Sequence, residues 1–251
     1  MALSSNTLIH FTKKLTNLEG ILTSNFKIRY CRENIIVNSK EYDMLIPMVS
    51  FCDIPFSQII NHIESYGCYG IGLKKDWAIK NGLNPVLYIE KNSTLSHNIM
   101  GHLYAYLTEG KIKITELTNE EKYRFDFIRY IKNYEGDLNR IAKKTIKNYR
   151  FSDEREWRYV LKPDFNHLLF ANIKKVEKAK IAERKAHHNS KIESEKLSFQ
   201  PEDINYIIIK KESERDRIIS ILEKNYTKFP HEQVKRLTSR IISTEQLYTD
   251  F

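Results

Sequence analysis

Asp153-Glu154-Arg155-Glu156-Trp157-Arg158-Tyr159 alternates charged and aromatic residues at a period of two. That period predicts a strand over Phe151 to Leu161, with Glu154, Glu156 and Arg158 on one face and Arg155, Trp157 and Tyr159 on the other. Two carboxylates held this close repel, which raises the pKa of one, while an adjacent arginine lowers it. Such an arrangement suits proton transfer or the stabilisation of a developing positive charge. The same spacing also fits an exposed strand face laced with ion pairs, and E-x-E alone does not choose between them.

Outward from this strand the pattern mixes strands and helices without an internal repeat. Thr7–Thr12 predicts a first strand, and Leu15, Leu18, Ile21 and Leu22 recur at helical spacing after it. Ile46–Phe51 predicts a second strand, closed by Asp53 and Pro55. Phe56, Ile59, Ile60 and Ile63 then form a second helical stripe. Four of the eight glycines lie between Gly67 and Gly82, so backbone must approach something closely around Tyr66-Gly67-Cys68-Tyr69-Gly70-Ile71-Gly72-Leu73. Residues 95–150 read as a helical insert, and 111–150 carries eleven Lys or Arg against six Asp or Glu. Residues 172–197 read as a charged, solvated excursion, Ile204–Ile209 as a strand, and 226–251 as a helical tail. The expectation is one α+β domain over residues 1–251 that carries these inserts.

Composition narrows the function classes. With 41% hydrophobic residues the chain can bury a substantial core. Neither a signal peptide nor an apolar run of about 20 residues is visible, so a cytoplasmic protein without a membrane partner is expected. Cys31, Cys52 and Cys68 are odd in number and form no C-x-x-C pair, which argues against a disulfide framework and a zinc site; no metal is expected. Forty-one Lys plus Arg against thirty-two Asp plus Glu leave a net charge of +9, suited to nucleic acid or a phosphate-bearing cofactor. A·T-rich codon usage would give the same lysine-rich composition. Lys143, Lys144 and Lys147 are the candidates for a nucleic-acid-binding surface.

Other candidates are scattered. His10 and Thr12 in the first strand could hydrogen-bond a ribose or an amide, and Tyr66 or Tyr69 beside the glycines could stack on a planar ring. Ser50 is a further polar candidate, and each of these also fits plain packing. The glycine segment is neither G-x-G-x-x-G nor a P-loop, and neither G-x-S-x-G nor H-E-x-x-H occurs.

Taken in order, Leu8-Ile9-His10-Phe11-Thr12, Val49-Ser50-Phe51-Cys52-Asp53-Ile54-Pro55, Tyr66-Gly67-Cys68-Tyr69-Gly70-Ile71-Gly72 and Glu154-Arg155-Glu156-Trp157-Arg158 resemble the AbiGi family. These are abortive-infection, phage-resistance proteins, described as the antitoxin partner of a two-gene system. The motif order is also similar to that of ADP-ribosyltransferases, including DarT-like enzymes that modify DNA. That second resemblance implies a small mixed or antiparallel split sheet and NAD as cofactor. It implies that Glu156 stabilises an oxocarbenium-like transition state, with Glu154 orienting or deprotonating the acceptor. It places His10 and Thr12 on a ribose of NAD, Tyr66 or Tyr69 against nicotinamide, and Ser50 where those enzymes carry a Ser-Thr-Ser segment, which is absent here.

Two function classes follow. One is an NAD-dependent ADP-ribosyltransferase-like effector acting on nucleic acid or protein. The other is a non-catalytic antitoxin or nucleic-acid-binding regulator with a cognate toxin as partner. Nothing in the sequence fixes the oligomeric state.

Overall fold

The computed structural model describes residues 5–100, 118–120, 126–138, 145–161, 171–172 and 180–250. Its strands are β1 (Thr7–Thr12), β2 (Phe26–Lys27), β3 (Arg29–Val37), β4 (Lys40–Cys52), β5 (Tyr69–Lys74), β6 (Asn84–Pro85), β7 (Leu87–Ile89), β8 (Ile131–Asn133), β9 (Glu135–Leu138), β10 (Ile146–Arg150), β11 (Glu156–Val160), β12 (Ala171–Asn172), β13 (Lys196–Leu197), β14 (Ile204–Ile209) and β15 (Ile241–Ser243). The helices used below are α1 (Leu15–Ser24), α2 (Ile59–Tyr66), α3 (Lys75–Lys80), α4 (Ile181–Lys191), α5 (Arg215–Lys224), α6 (His231–Thr238) and α7 (Thr244–Asp250). Where the sequence was read as one domain, the chain divides into two compact units. One is Met1–Lys27, Ser50–Asn84 and Lys196–Phe251; the other is Ile28–Val49 and Pro85–Glu195.

In the first unit β1 pairs antiparallel with β5 along its whole length, from Thr7 opposite Lys74 to Thr12 opposite Tyr69. The end of β4 joins β1 at Cys52, β14 runs antiparallel to β5, and β15 lies parallel to β14. Ile9, Ile54, Ile59, Ile63, Ile208 and Leu247 form one core cluster. Phe26, Phe51, Trp77 and Phe199 form an aromatic cluster with ring centroids 5.3–6.4 Å apart. The glycines of β5 and its approach have a packing cause. Gly67 sits at φ 128°, where a Cβ would lie 2.3 Å from the Thr12 carbonyl oxygen, and a Cβ on Gly72 would meet Thr7 at 2.8 Å. Backbone and β14 therefore take up the space that a side chain would need.

The tail expected to be helical over 226–251 contains the strand β15 between α6 and α7. Ile241 and Ile242 are β-branched residues that the open edge of β14 accepts, and three residues are too few to show a period.

In the second unit β3 and β4 form a long hairpin, paired from Arg29–Met48 to Val37–Lys40. Asn38 and Ser39 both have positive φ (45° and 63°), as a two-residue type I′ turn requires. On its other edge β4 accepts Leu161 N–H at the Pro47 carbonyl (3.1 Å) and pairs with β12 at Leu45 and Met44. Ile35, Val37, Met44, Ile46, Met48, Ile89, Met100, Ile128, Ile131 and Val160 build the core on this hairpin. Of the expected helical insert over 95–150, residues 95–100 and 119–120 are helical, but 131–133, 135–138 and 146–150 are strands. These are β8, paired parallel with β7, and the antiparallel pair β9–β10. Short strands of mixed polarity such as Glu135–Leu138 carry no period that distinguishes them from helix.

The charged segment 172–197 contributes α4, which packs on β3. Asn189 Oδ1 accepts the Tyr30 N–H (2.8 Å), and the His188 ring lies 5.3 Å from that of Tyr30.

Candidate functional site

The strand expected from Phe151 starts five residues later than predicted. Phe151–Glu154 is a 3-10 turn, Arg155 takes the left-handed conformation (φ 43°, ψ 52°), and β11 begins at Glu156. The expected face survives in altered form, because the turn swings Glu154 back alongside Glu156. Both carboxylates reach the ammonium of Lys132 on β8, at 2.7 Å from Glu154 Oε2 and 2.8 Å from Glu156 Oε2. The face is also buried: Glu154 is 2% exposed, Glu156 5% and Arg158 0%. The exposed-face reading of the alternation does not hold.

Arg158 organises the cluster. Its Nε and Nη2 donate to Glu156 Oε1 (2.7 Å) and Oε2 (3.2 Å), a bidentate pairing that fixes the carboxylate's plane. Nη2 also pairs with Glu33 Oε2 on β3 at 3.0 Å, and Nη1 donates to the Arg129 carbonyl at 2.9 Å. Arg129 in turn donates to the Leu161 carbonyl (2.8 Å) and pairs with Asp126. Tyr88 Oη accepts the Glu156 N–H (2.8 Å), and the Val86 N–H donates to the Glu156 carbonyl (3.0 Å). Lys132 lies 5.1 Å from the centre of the Phe151 ring, which shields its outer side.

The electrostatics follow from this geometry. Burial pushes the Glu154 carboxyl up to about 9, helped by Glu156 and Glu33 and opposed by Arg158. Burial acts in the same direction on Glu156, yet Arg158 and Lys132 together hold it well below the ordinary carboxylate range. Arg158 is kept charged despite its burial by Glu156 and Glu33. Among the described residues the cluster contains three carboxylates and two cations, and a proton on Glu154 leaves two matched pairs. Glu156 is thus an orienting, fully engaged anion, and Glu154 is a neutral carboxylic acid at pH 7, able to donate a proton.

The remaining sequence candidates fall in the first unit, each with a structural occupation. His10 Nδ1 lies 2.8 Å from the Ser50 carbonyl, an acceptor only, so Nδ1 carries the proton. The His10 ring packs edge-on against Phe26 (5.3 Å), and its pKa is lowered by burial. Thr12 Oγ1 accepts from Asn17 Nδ2 at the start of α1 (2.8 Å). Tyr69 donates to Glu214 Oε1 (2.8 Å), whose other oxygen accepts the N–H groups of Lys210 and Lys211 at 3.0 Å and so caps the turn leading into α5. Tyr66 stacks with His62 on α2, at 6.1 Å and 24°. Of the basic candidates, Lys143 and Lys144 lie outside the described residues, while Lys147 is exposed but paired with Asp137 across the β9–β10 hairpin.

Glu33, Lys132, Arg129 and Tyr88 were absent from the sequence-derived candidates. Each sits alone among unremarkable neighbours, from about 20 to more than 120 residues from Glu156, so no local spacing flags them. The described residues contain no group of three or more His, Cys, Asp or Glu side chains placed to hold a metal ion, and no helix among them is long and apolar enough to cross a membrane.

Comparison with known proteins places this geometry in a family. No solved structure matches the chain. It is 30% identical over 249 residues to "Abortive phage resistance protein AbiGi" of Lactococcus lactis subsp. cremoris, covering 90% of this chain and 99% of that protein. A family model described as "Putative abortive phage resistance protein AbiGi, antitoxin" matches residues 24–210, a span that takes in β3, β8, β11 and every member of the buried ionic cluster. The chain belongs to the AbiGi family.

Proposed function

We propose that this chain acts in abortive phage resistance as the non-catalytic, antitoxin member of a pair, binding and restraining a toxic partner. The observation that carries this reading is the state of Glu156. Its carboxylate already accepts from Arg158 Nε, Arg158 Nη2 and Lys132 Nζ, so a ribose hydroxyl of NAD would have to compete with two cations, one of them fully buried. A carboxylate engaged in this way holds strands together; it does not fit the role of NAD-facing acceptor. The word antitoxin in the family description points the same way, and the name of the Lactococcus relative supports the part in abortive phage resistance.

The test is inducible expression of the chain alone and beside its neighbouring gene product. Expression alone is expected to leave growth unchanged, and co-expression to relieve the partner's toxicity. Growth arrest by this chain alone would overturn the proposal.

A second reading, an ADP-ribosyltransferase-like effector with a split sheet, draws support from Glu154. A buried carboxyl that retains its proton at neutral pH is a device for acid–base work. Labelled NAD incubated with the folded protein and cell extract should then transfer label, and Glu154→Gln should abolish the transfer. Absence of transfer to any protein or nucleic acid removes this reading.

A further inference from the structure

Helix α4 carries four of its basic residues on one line, with Lys185 off it. Lys180 immediately before it, then Arg184, His187 and Lys191, are spaced by four, three and four residues. At 100° per residue these four fall within an arc of roughly 60°, and the line from first to last runs roughly 16 Å along the axis. The buried side of the helix, with Ile181, His188 and the following Ile192, lies about a quarter turn away and packs on β3. Glu183 is the single carboxylate on the helix.

Three observations set this line apart from an ordinary solvated face. Like charges at i,i+3 and i,i+4 destabilise a helix, and a cation near the helix N-terminus opposes the dipole, so the arrangement has an intrinsic cost that folding does not require. Lys180, His187 and Lys191 form no salt bridge among the described residues. The charges are also close enough to act together. His188, 7% exposed, has its pKa lowered by burial and further by His187, Lys191 and Arg184.

We infer that the outer face of α4 is a docking surface for the phosphate backbone of a nucleic acid. This goes beyond the antitoxin reading, which concerns a protein partner. A row of cations, Lys180, Arg184 and Lys191, along roughly 16 Å of helix axis complements the charge of a linear polyanion, whose phosphates recur about every 3.4 Å of axis per strand. The net charge of +9 adds long-range attraction of the same sign. Ser190, exposed and about a quarter turn from the row on the side away from the buried face, is small and offers few groups for reading bases. Binding through phosphates alone is independent of sequence and steeply dependent on salt.

The test uses the full chain and a fluorescein-labelled 20-base-pair duplex, with anisotropy followed from 50 to 200 mM salt. The expected result is binding whose log affinity falls linearly with log salt. In Lys180→Gln/Lys191→Gln the slope should be smaller by about 1.8 and the affinity at 100 mM salt at least tenfold weaker, while the melting temperature is unchanged. Lys80→Gln/Lys224→Gln, which removes two charges elsewhere, should leave the slope within about one unit of the unmodified protein's and binding largely intact. No binding at 50 mM salt, or equal losses from both double variants, would overturn the inference. So would intact duplex binding by Lys180→Gln/Lys191→Gln together with loss of its complex with the neighbouring gene product, since the row would then be a protein interface.

Discussion

The two units solve the burial of polar groups in opposite ways. In the first, His10, Thr12 and Tyr69 are neutral, and each makes one short hydrogen bond: to Ser50 O, Asn17 Nδ2 and Glu214 Oε1. In the second, Glu33, Glu156, Lys132 and Arg158 bring charges together from β3, β8 and β11, and Glu154 keeps its proton beside them. A neutral polar residue can be satisfied by whatever backbone lies nearby. A buried charge needs an opposite charge delivered to within about 3 Å, because desolvation costs several kcal/mol per ion. The first unit's candidates are therefore each satisfied by one donor or acceptor, even one 40 or 145 residues away, while the second unit's need several opposite charges delivered together by the assembled sheet.

The largest effect expected from breaking this contrast is at Arg158. Arg158→Met leaves Glu156 and Glu33 facing each other without their shared cation and should cost about 3–5 kcal/mol in chemical denaturation. Adding Glu156→Gln and Glu33→Gln should restore most of that loss. A single-variant cost below about 1 kcal/mol would show that the cluster is solvated.

In the first unit the corresponding weak point is steric. Gly67→Ala places a Cβ against the Thr12 carbonyl in a backbone region nearly exclusive to glycine, and should cost about 2–3 kcal/mol through strain and overpacking. Its cost should be the same at pH 5 and pH 9, unlike that of changes in the charged cluster.

The smallest and most pH-specific effect belongs to Glu154. Its pKa in the fold, about 9, lies above the ordinary 4.5, so the fold binds its proton more tightly than the unfolded chain does. That contribution is fully present below pH 4.5 and is lost progressively as pH rises toward 9. Glu156 is shifted the other way, so its contribution is present above pH 4.5 and is lost at acid pH. Glu154→Gln should flatten the decline in melting temperature between pH 5 and 9, with a gain of a few degrees at pH 9 over the unmodified protein. Parallel melting curves for the two proteins across that range would contradict a proton held on Glu154.

The sequence by itself determined the period-two alternation of β11, the strands β1 and β14, the helical stripes of α1 and α2, and the close backbone approach at Gly67 and Gly72. These are local consequences of residue type and spacing. It also singled out Glu154, Glu156 and Arg158 as one face. Only the tertiary structure decided that this face points inward, that Arg155 turns the chain so that Glu154 precedes the strand, and that Glu33 and Lys132 complete the charge balance. Burial and counter-charge depend on what the rest of the chain brings alongside, from up to about 120 residues away. For the same reason the strands inside 131–150 and at Ile241–Ser243 were read as helix: segments of three to five residues acquire their identity from the neighbour that pairs with them, not from a period of their own.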